Sequence, residues 1–192
     1  ILVFFGSLGF DTLLDLFKVR NMKERLKYPW KRPKMGSLLN IYSTLALLIL
    51  GAVIFMIFEW HRNFEGYNTF NATITSLFQS MTLRSAGFNT IDIGNLALPT
   101  LITSIILMFI GGASSSTAGG IKTSTFSVLF LSAYSVIRRK KHIEVFRRTI
   151  PQDIVFRAFS TFIFSLIGVA VAVFILVISE ESLISSGKFD FV

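Results

Sequence analysis

Cysteine is absent from this 192-residue chain, which excludes disulfides and thiolate metal centres. Acid is scarce: 11 Asp and Glu stand against 19 Lys and Arg, for a formal charge of +8. Histidine occurs only at His61 and His142, each isolated and read as a polar boundary residue rather than a ligand. The sequence has no HExxH helix, no Gly-rich phosphate loop closed by Lys-Ser/Thr, and no paired intramembrane aspartates suited to proteolysis. Without a nucleophile–base or metal-ligand cluster, enzymatic activity and a bound cofactor are not expected.

Charge of either sign is missing from long stretches. Residues 35–58 and 158–179 carry none, and Lys122 is the only charge between Asp92 and Arg138. A membrane-spanning helix needs about 20 predominantly apolar residues. These runs meet that length, and a soluble core does not require them, so an all-α membrane protein is expected.

The positive charge lies in two clusters that abut the apolar runs. Lys18 to Lys34 holds eight Lys and Arg against one Glu, and Arg138 to Arg148 holds six against Glu144. Nucleic-acid or anionic-lipid binding is one reading. Cytoplasmic loops obeying the positive-inside rule is the other, and the adjoining spans favour it. Ile1 lies inside an apolar stretch, with neither an initiator Met nor a signal peptide, and the chain stops at Val192. A piece of a longer protein is therefore expected.

Residues 1–17 read as the tail of one hydrophobic helix entering a basic cytoplasmic loop, 18–37, where Pro29 and Pro33 oppose a continuous helix. Residues 38–58 read as an outward span. Residues 69–83 are uncharged but half polar, with Phe70, Ile74, Leu77, Phe78 and Met81 on one helical face. A helix there is roughly 20 Å long, too short to cross. Both basic loops must share a side, so this segment either dips into the membrane and returns or lies on its surface. The sequon Asn71-Ala72-Thr73 falls within it and is read as chance.

Residues 96–137 are too long for one straight span, at about 60 Å of helix. They are interrupted by Gly111-Gly112-Ala113-Ser114-Ser115-Ser116-Thr117-Ala118-Gly119-Gly120. Non-helical backbone at membrane depth is tolerated only inside protein or beside a watery cavity, so a broken helix is expected. A second basic loop, 138–152, precedes another span and an external segment in 153–192.

The short helix is followed by Arg84-Ser85-Ala86-Gly87-Phe88-Asn89. A helix C-terminus favours a cation, Gly87 permits unusual backbone angles, and carbonyls can replace a cation's water. A pore loop over 84–89 fits, and so does an ordinary extracellular turn. Lys122 sits beside the Gly/Ser loop, about 24 Å along a helix from Arg138, which exceeds the reach of snorkelling. A role at that loop, repelling ions or tethering carbonyls, is favoured. Asp11 and Asp15 are expected to meet the basic loop that follows them, with a cation relay as the alternative.

Thr82-Leu83-Arg84-Ser85-Ala86-Gly87-Phe88-Asn89-Thr90 closely resembles the third-repeat pore loop of the Trk/Ktr/HKT potassium transporters, most of all the Ktr-type membrane subunit. Met108 to Gly112 and Gly119-Gly120-Ile121-Lys122-Thr123 resemble the intramembrane gating loop of that family. Gly6-Ser7-Leu8-Gly9-Phe10 is similar to the end of the second repeat, with Ser7 where Gly would be expected.

The resemblance implies span–pore loop–span repeats around a central pore, with a re-entrant pore helix and a broken second helix. Residues 1–17 would end repeat two, 38–137 would be repeat three, and 153–192 would begin repeat four. Ser85, Ala86, Gly87 and Phe88 would present filter carbonyls to potassium, with sodium as the alternative ion. Gly111, Gly112, Ser114, Ser115, Ser116, Gly119, Gly120 and Lys122 would form the gating loop. It also implies potassium uptake across the plasma (inner) membrane by a multi-pass homodimer, with a cytosolic nucleotide-binding regulatory subunit, lipid contacts and no nucleic acid. A sodium-coupled secondary transporter with discontinuous helices is the alternative. A non-conducting assembly subunit would leave Lys122 and the Gly/Ser loop unexplained.

Overall fold

The computed structural model describes residues 2–18, 27, 34–139, 143–145 and 148–185. The basic-loop residues 19–26, 28–33, 140–142 and 146–147, with the expected break at Pro29 and Pro33, lie outside the described residues, as does the end of the external segment, 186–192.

The chain is mostly helical. Two short helices, α1 (Leu2–Ser7) and α2 (Phe10–Phe17), precede the long α3 (Met35–Glu59). A loop leads to α4 (Thr69–Ser85), a single 3-10 turn (Ile93–Asn95) and α5 (Leu98–Phe109). Then come α6 (Thr123–Ile137), a small hairpin of β1 (Glu144–Val145) and β2 (Arg148–Thr149), and α7 (Gln152–Ser185).

Helix ends follow local chemistry. The Asp15 carboxylate accepts from the Lys34 backbone N–H at 3.0 Å, satisfying the residue that precedes α3. Pro99 sits in the first turn of α5, where its missing N–H costs nothing. The Glu59 carboxylate, fully buried, accepts from Ala97 N at 2.9 Å and Asn63 Nδ2 at 2.5 Å, fastening the start of α5 to the end of α3.

Three features differ from the sequence reading. Residues 1–17 are not one helix: Leu8 and Gly9 interrupt it, with Gly9 at φ +76. The short helix runs on through Ser85, so the non-helical stretch begins at Ala86 rather than at Arg84. In the second basic segment, β1 and β2 pair antiparallel, Glu144 opposite Thr149, an exception of two two-residue strands to the all-α expectation. The expected interruption of 96–137 corresponds to non-helical backbone over 110–122.

Polar and apolar side chains share the buried positions, and many large apolar ones face outward. Helix α3 turns Ser37, Asn40, Thr44, Gly51 and Phe55 inward, while Leu45, Ile49, Leu50, Val53 and Ile57 face out. Helix α4 lies against α3, where the Ser80 hydroxyl donates to the Leu48 carbonyl at 3.0 Å. A Cβ on Gly51 would collide with Ser80 Oγ and come 2.9 Å from Leu107 Cδ1, so glycine lets α3, α4 and α5 meet closely. Among the described residues two helices, Met35–Glu59 and Gln152–Glu180, are long and apolar enough to cross a membrane, and none of the most apolar window of the second is buried.

Candidate ion pathway

The first cluster lies at the C-terminus of α4. The N–H groups of Ala86 and Gly87 both donate to the Thr82 carbonyl at 3.0 Å. Gly87 then takes φ +69, a left-handed angle that an L side chain resists. No atom lies within 4 Å of where its Cβ would stand, so glycine is required here by backbone angle and not by space. Gly87 through Thr90 are exposed, Phe88 at 65%. Ser85 sits in the last helical turn with its hydroxyl donating to Met81 O at 3.3 Å.

Arg84, beside this turn, is only 3% exposed. Its Nη2 reaches the Thr44 carbonyl at 3.5 Å, and Nε and Nη1 have no partner among the described residues. Nor do three His, Cys, Asp or Glu converge anywhere among the described residues. Residues 86–90 include no Asp or Glu, so the oxygens that this turn offers are carbonyl, amide and hydroxyl oxygens.

The second cluster is the 110–122 loop, which is folded tightly on itself. Ile110 and Ile121 form a parallel bridge, Ile121 N donates to Phe109 O at 2.9 Å, and Thr123 N donates to Gly112 O at 3.0 Å. A Cβ on Gly111 would strike the Gly119 carbonyl, and one on Gly112 would stand 2.7 Å from Ala118 Cβ. Gly120 has φ +71. The Lys122 ammonium donates to the Ala118 carbonyl at 2.8 Å, folding back over the loop. Ser114 and Ser124 share a hydroxyl hydrogen bond of 2.8 Å.

This loop is fastened to the break between α1 and α2, a connection the sequence reading missed. Ala113 N donates to Ser7 O at 2.9 Å, and Phe10 N donates to Ser115 O at 3.0 Å. The Ser115 hydroxyl donates to the Asp11 carboxylate. Gly9 is forced by proximity as well as angle, because a Cβ there would strike the Ser114 carbonyl. Ser7 touches both clusters: its carbonyl takes the loop, and its hydroxyl faces Met81 Sδ of α4 at 3.7 Å. Of the two acids expected to meet the basic loop, Asp15 binds Lys34 N and Asp11 binds Ser115. Beside the loop opens a cavity of about 730 Å³ lined by Asp11, Asp15, Lys18, Lys34, Asn40 and Ser114.

The chain matches the family model for TrkH, described as a cation transport protein, over residues 4–192. It is 31% identical over 191 residues to the Ktr system potassium uptake protein B of Vibrio alginolyticus, covering 98% of this chain and 41% of that protein. It is 33% identical over 187 residues to the potassium/sodium uptake protein NtpJ of Enterococcus hirae, covering 97% and 40%. Its fold is similar to the crystal structure of the potassium transporter TrkH from Vibrio parahaemolyticus, with a TM-score of 0.62 at 18% identity over 83% of this chain and 34% of that one. The chain thus spans about two fifths of the length of these curated relatives. Its sequence over nearly every residue, together with its fold, places it in one family: the chain belongs to the TrkH family of cation transport proteins.

Proposed function

We propose that this chain is part of the pore-forming subunit of a potassium-uptake system, a multi-pass protein of the plasma membrane. In this reading α4 is a re-entrant pore helix, and Ser85, Ala86, Gly87 and Phe88 form one quarter of a filter. Helices α5 and α6 are the two halves of a broken inner helix. Residues 1–17 close the second repeat, 38–137 make up the third, and 153–192 open the fourth, all around a central pore.

The observation that carries the reading is the left-handed turn at Gly87, exposed at the C-terminus of a 17-residue helix too short to cross a bilayer. The helix dipole directs partial negative charge to that end. Carbonyls there replace water around a potassium ion, with three further loops from the remainder of the protein completing the ring. Below the filter, Gly111, Gly112, Ser114, Ser115, Ser116, Gly119, Gly120 and Lys122 form a gate. Its closed state is held by Lys122 on Ala118 and by Ser7, Phe10 and Asp11 on residues 113–115. The parent protein pairs as a homodimer, its basic loops facing a cytosolic nucleotide-binding regulatory subunit and anionic lipid headgroups.

The test is uptake of rubidium and sodium by the full-length parent, with its cytosolic partner, in potassium-uptake-deficient bacteria. We expect Gly87→Ser to abolish rubidium uptake or its preference over sodium at equal expression. Unchanged selectivity removes Gly87 from the filter. If the unsubstituted parent moves neither ion, the sodium-coupled transporter becomes the better reading.

A further inference from the structure

Gln79 is fully buried on the inner face of α4. Its side-chain oxygen lies 3.4 Å from the Thr90 N–H and 3.2 Å from the Thr90 hydroxyl. A backbone N–H can only donate, so the atom it meets is the amide oxygen, which fixes the orientation of the Gln79 amide. The amide nitrogen has no partner among the described residues. A buried donor left unmet opposes folding, and a leucine would fill a similar volume without that cost. Stability alone does not account for glutamine at this place.

Its position accounts for it better. The turn after α4 is tied at its start, where Ala86 N and Gly87 N share the Thr82 carbonyl. Phe88 and Asn89 make no hydrogen bond among the described residues. The next anchor along the chain is Thr90, held by Gln79. Residues 86–90 are thus a short arch with both feet on α4, one on Thr82 and the other on Gln79. Its height and the direction of its carbonyls are set by where those feet stand. A carbonyl ring distinguishes cations by the spacing and number of its oxygens, so the second foot bears directly on selectivity.

We propose that Gln79 is a positioning residue for ion selectivity, acting through Thr90 to hold the 86–90 arch at its width. This rests on reading that arch as part of the filter. Gln79 itself touches no ion.

The experiment compares rubidium with sodium uptake by the full-length parent carrying Gln79→Leu, Thr90→Val, Thr90→Ser or the Gln79→Leu/Thr90→Val pair, at matched amounts in the membrane. Thr90→Val keeps the shape of an exposed residue and removes only the hydroxyl, so it tests the contact even where Gln79→Leu reduces folding. The rubidium-to-sodium ratio is expected to fall roughly tenfold in Gln79→Leu and roughly threefold in Thr90→Val, the worth of one to two hydrogen bonds. Thr90→Ser should retain the parent ratio. The double variant should fall no further than Gln79→Leu alone, because both act through one contact.

An unchanged ratio in both Gln79→Leu and Thr90→Val overturns the proposal, and so does an additive loss in the pair. Gly87→Ser separates the two levels of the argument. If it changes selectivity while Gln79→Leu and Thr90→Val do not, the filter reading stands and the positioning role of Gln79 falls. If neither changes it, both fall.

Discussion

Ser115 holds a left-handed backbone conformation, φ +61, that residues with a side chain adopt only at a cost. The conformation persists because its surroundings fix it: Phe10 N takes its carbonyl, and its hydroxyl donates to Asp11. Asp11 is exposed, so the contact is worth about 1 kcal/mol rather than the larger value of a buried charged bond. If residues 110–122 gate the pathway as proposed, Asp11→Ala should shift them toward the open arrangement by roughly fivefold. The check is rubidium uptake by the parent without its regulatory partner, which should rise; an unchanged basal rate would mean that the Phe10 and Ser7 contacts suffice. The positions of Gly87 and Lys122 were legible in sequence, because a glycine after a short helix and a charge in an apolar run are each local anomalies. The contacts of Asp11 and Gln79 were not legible. Their partners lie 104 and 11 residues away, and no local pattern pairs Asp11 with Ser115.

At the scale of the element, the long helix α3 was legible to within a few residues: hydrophobic length defines it, and the expected span 38–58 became Met35–Glu59. The break between α1 and α2 was not. Leu8-Gly9 sits in an apolar run that continues a helical pattern, and one glycine inside a helix costs only about 1 kcal/mol. The break is decided by the 113–115 segment, whose backbone groups bond Ser7 O and Phe10 N across it. Glycine also governs how closely elements approach. Gly51→Val would drive side-chain atoms into Ser80 and Leu107 at the α3–α4–α5 contact. Overpacking of this kind costs about 1–3 kcal/mol. The expected result is a drop of at least about 2–4 °C in the unfolding midpoint of the detergent-solubilised parent, measured by intrinsic fluorescence. No drop would mean that α3 and α4 separate readily.

At the scale of the molecule, buried hydroxyls beside an apolar exterior fit a protein of the membrane, as its family implies. Ser76, Ser80, Thr82, Thr100 and Thr123 are buried, while Phe156, Phe164 and Phe174 of α7 are exposed. In the proposed arrangement both basic loops are cytoplasmic, the side that their positive charge favours. Because this chain has no cysteine, single cysteines introduced into a cysteine-free parent report topology directly. We expect a cysteine at Gly36 to be protected in intact cells from a membrane-impermeant maleimide, and one at Glu65 to be labelled. Labelling of both on the same side would overturn the arrangement of α3 as a complete span.

What the sequence determined by itself was the membrane character of the chain, because transfer of a span into lipid depends on composition and length, both one-dimensional. It also located the two anomalous loops, since glycine clusters and an isolated lysine oppose regular helix wherever they occur. The tertiary structure alone decided how those loops are held. The Gly/Ser loop is closed by a neighbouring helix break, and the arch after α4 stands on a glutamine inside the helix. Those contacts join groups distant in the chain, and a hydrogen bond between them exists only once the helices have packed and brought donor and acceptor within reach.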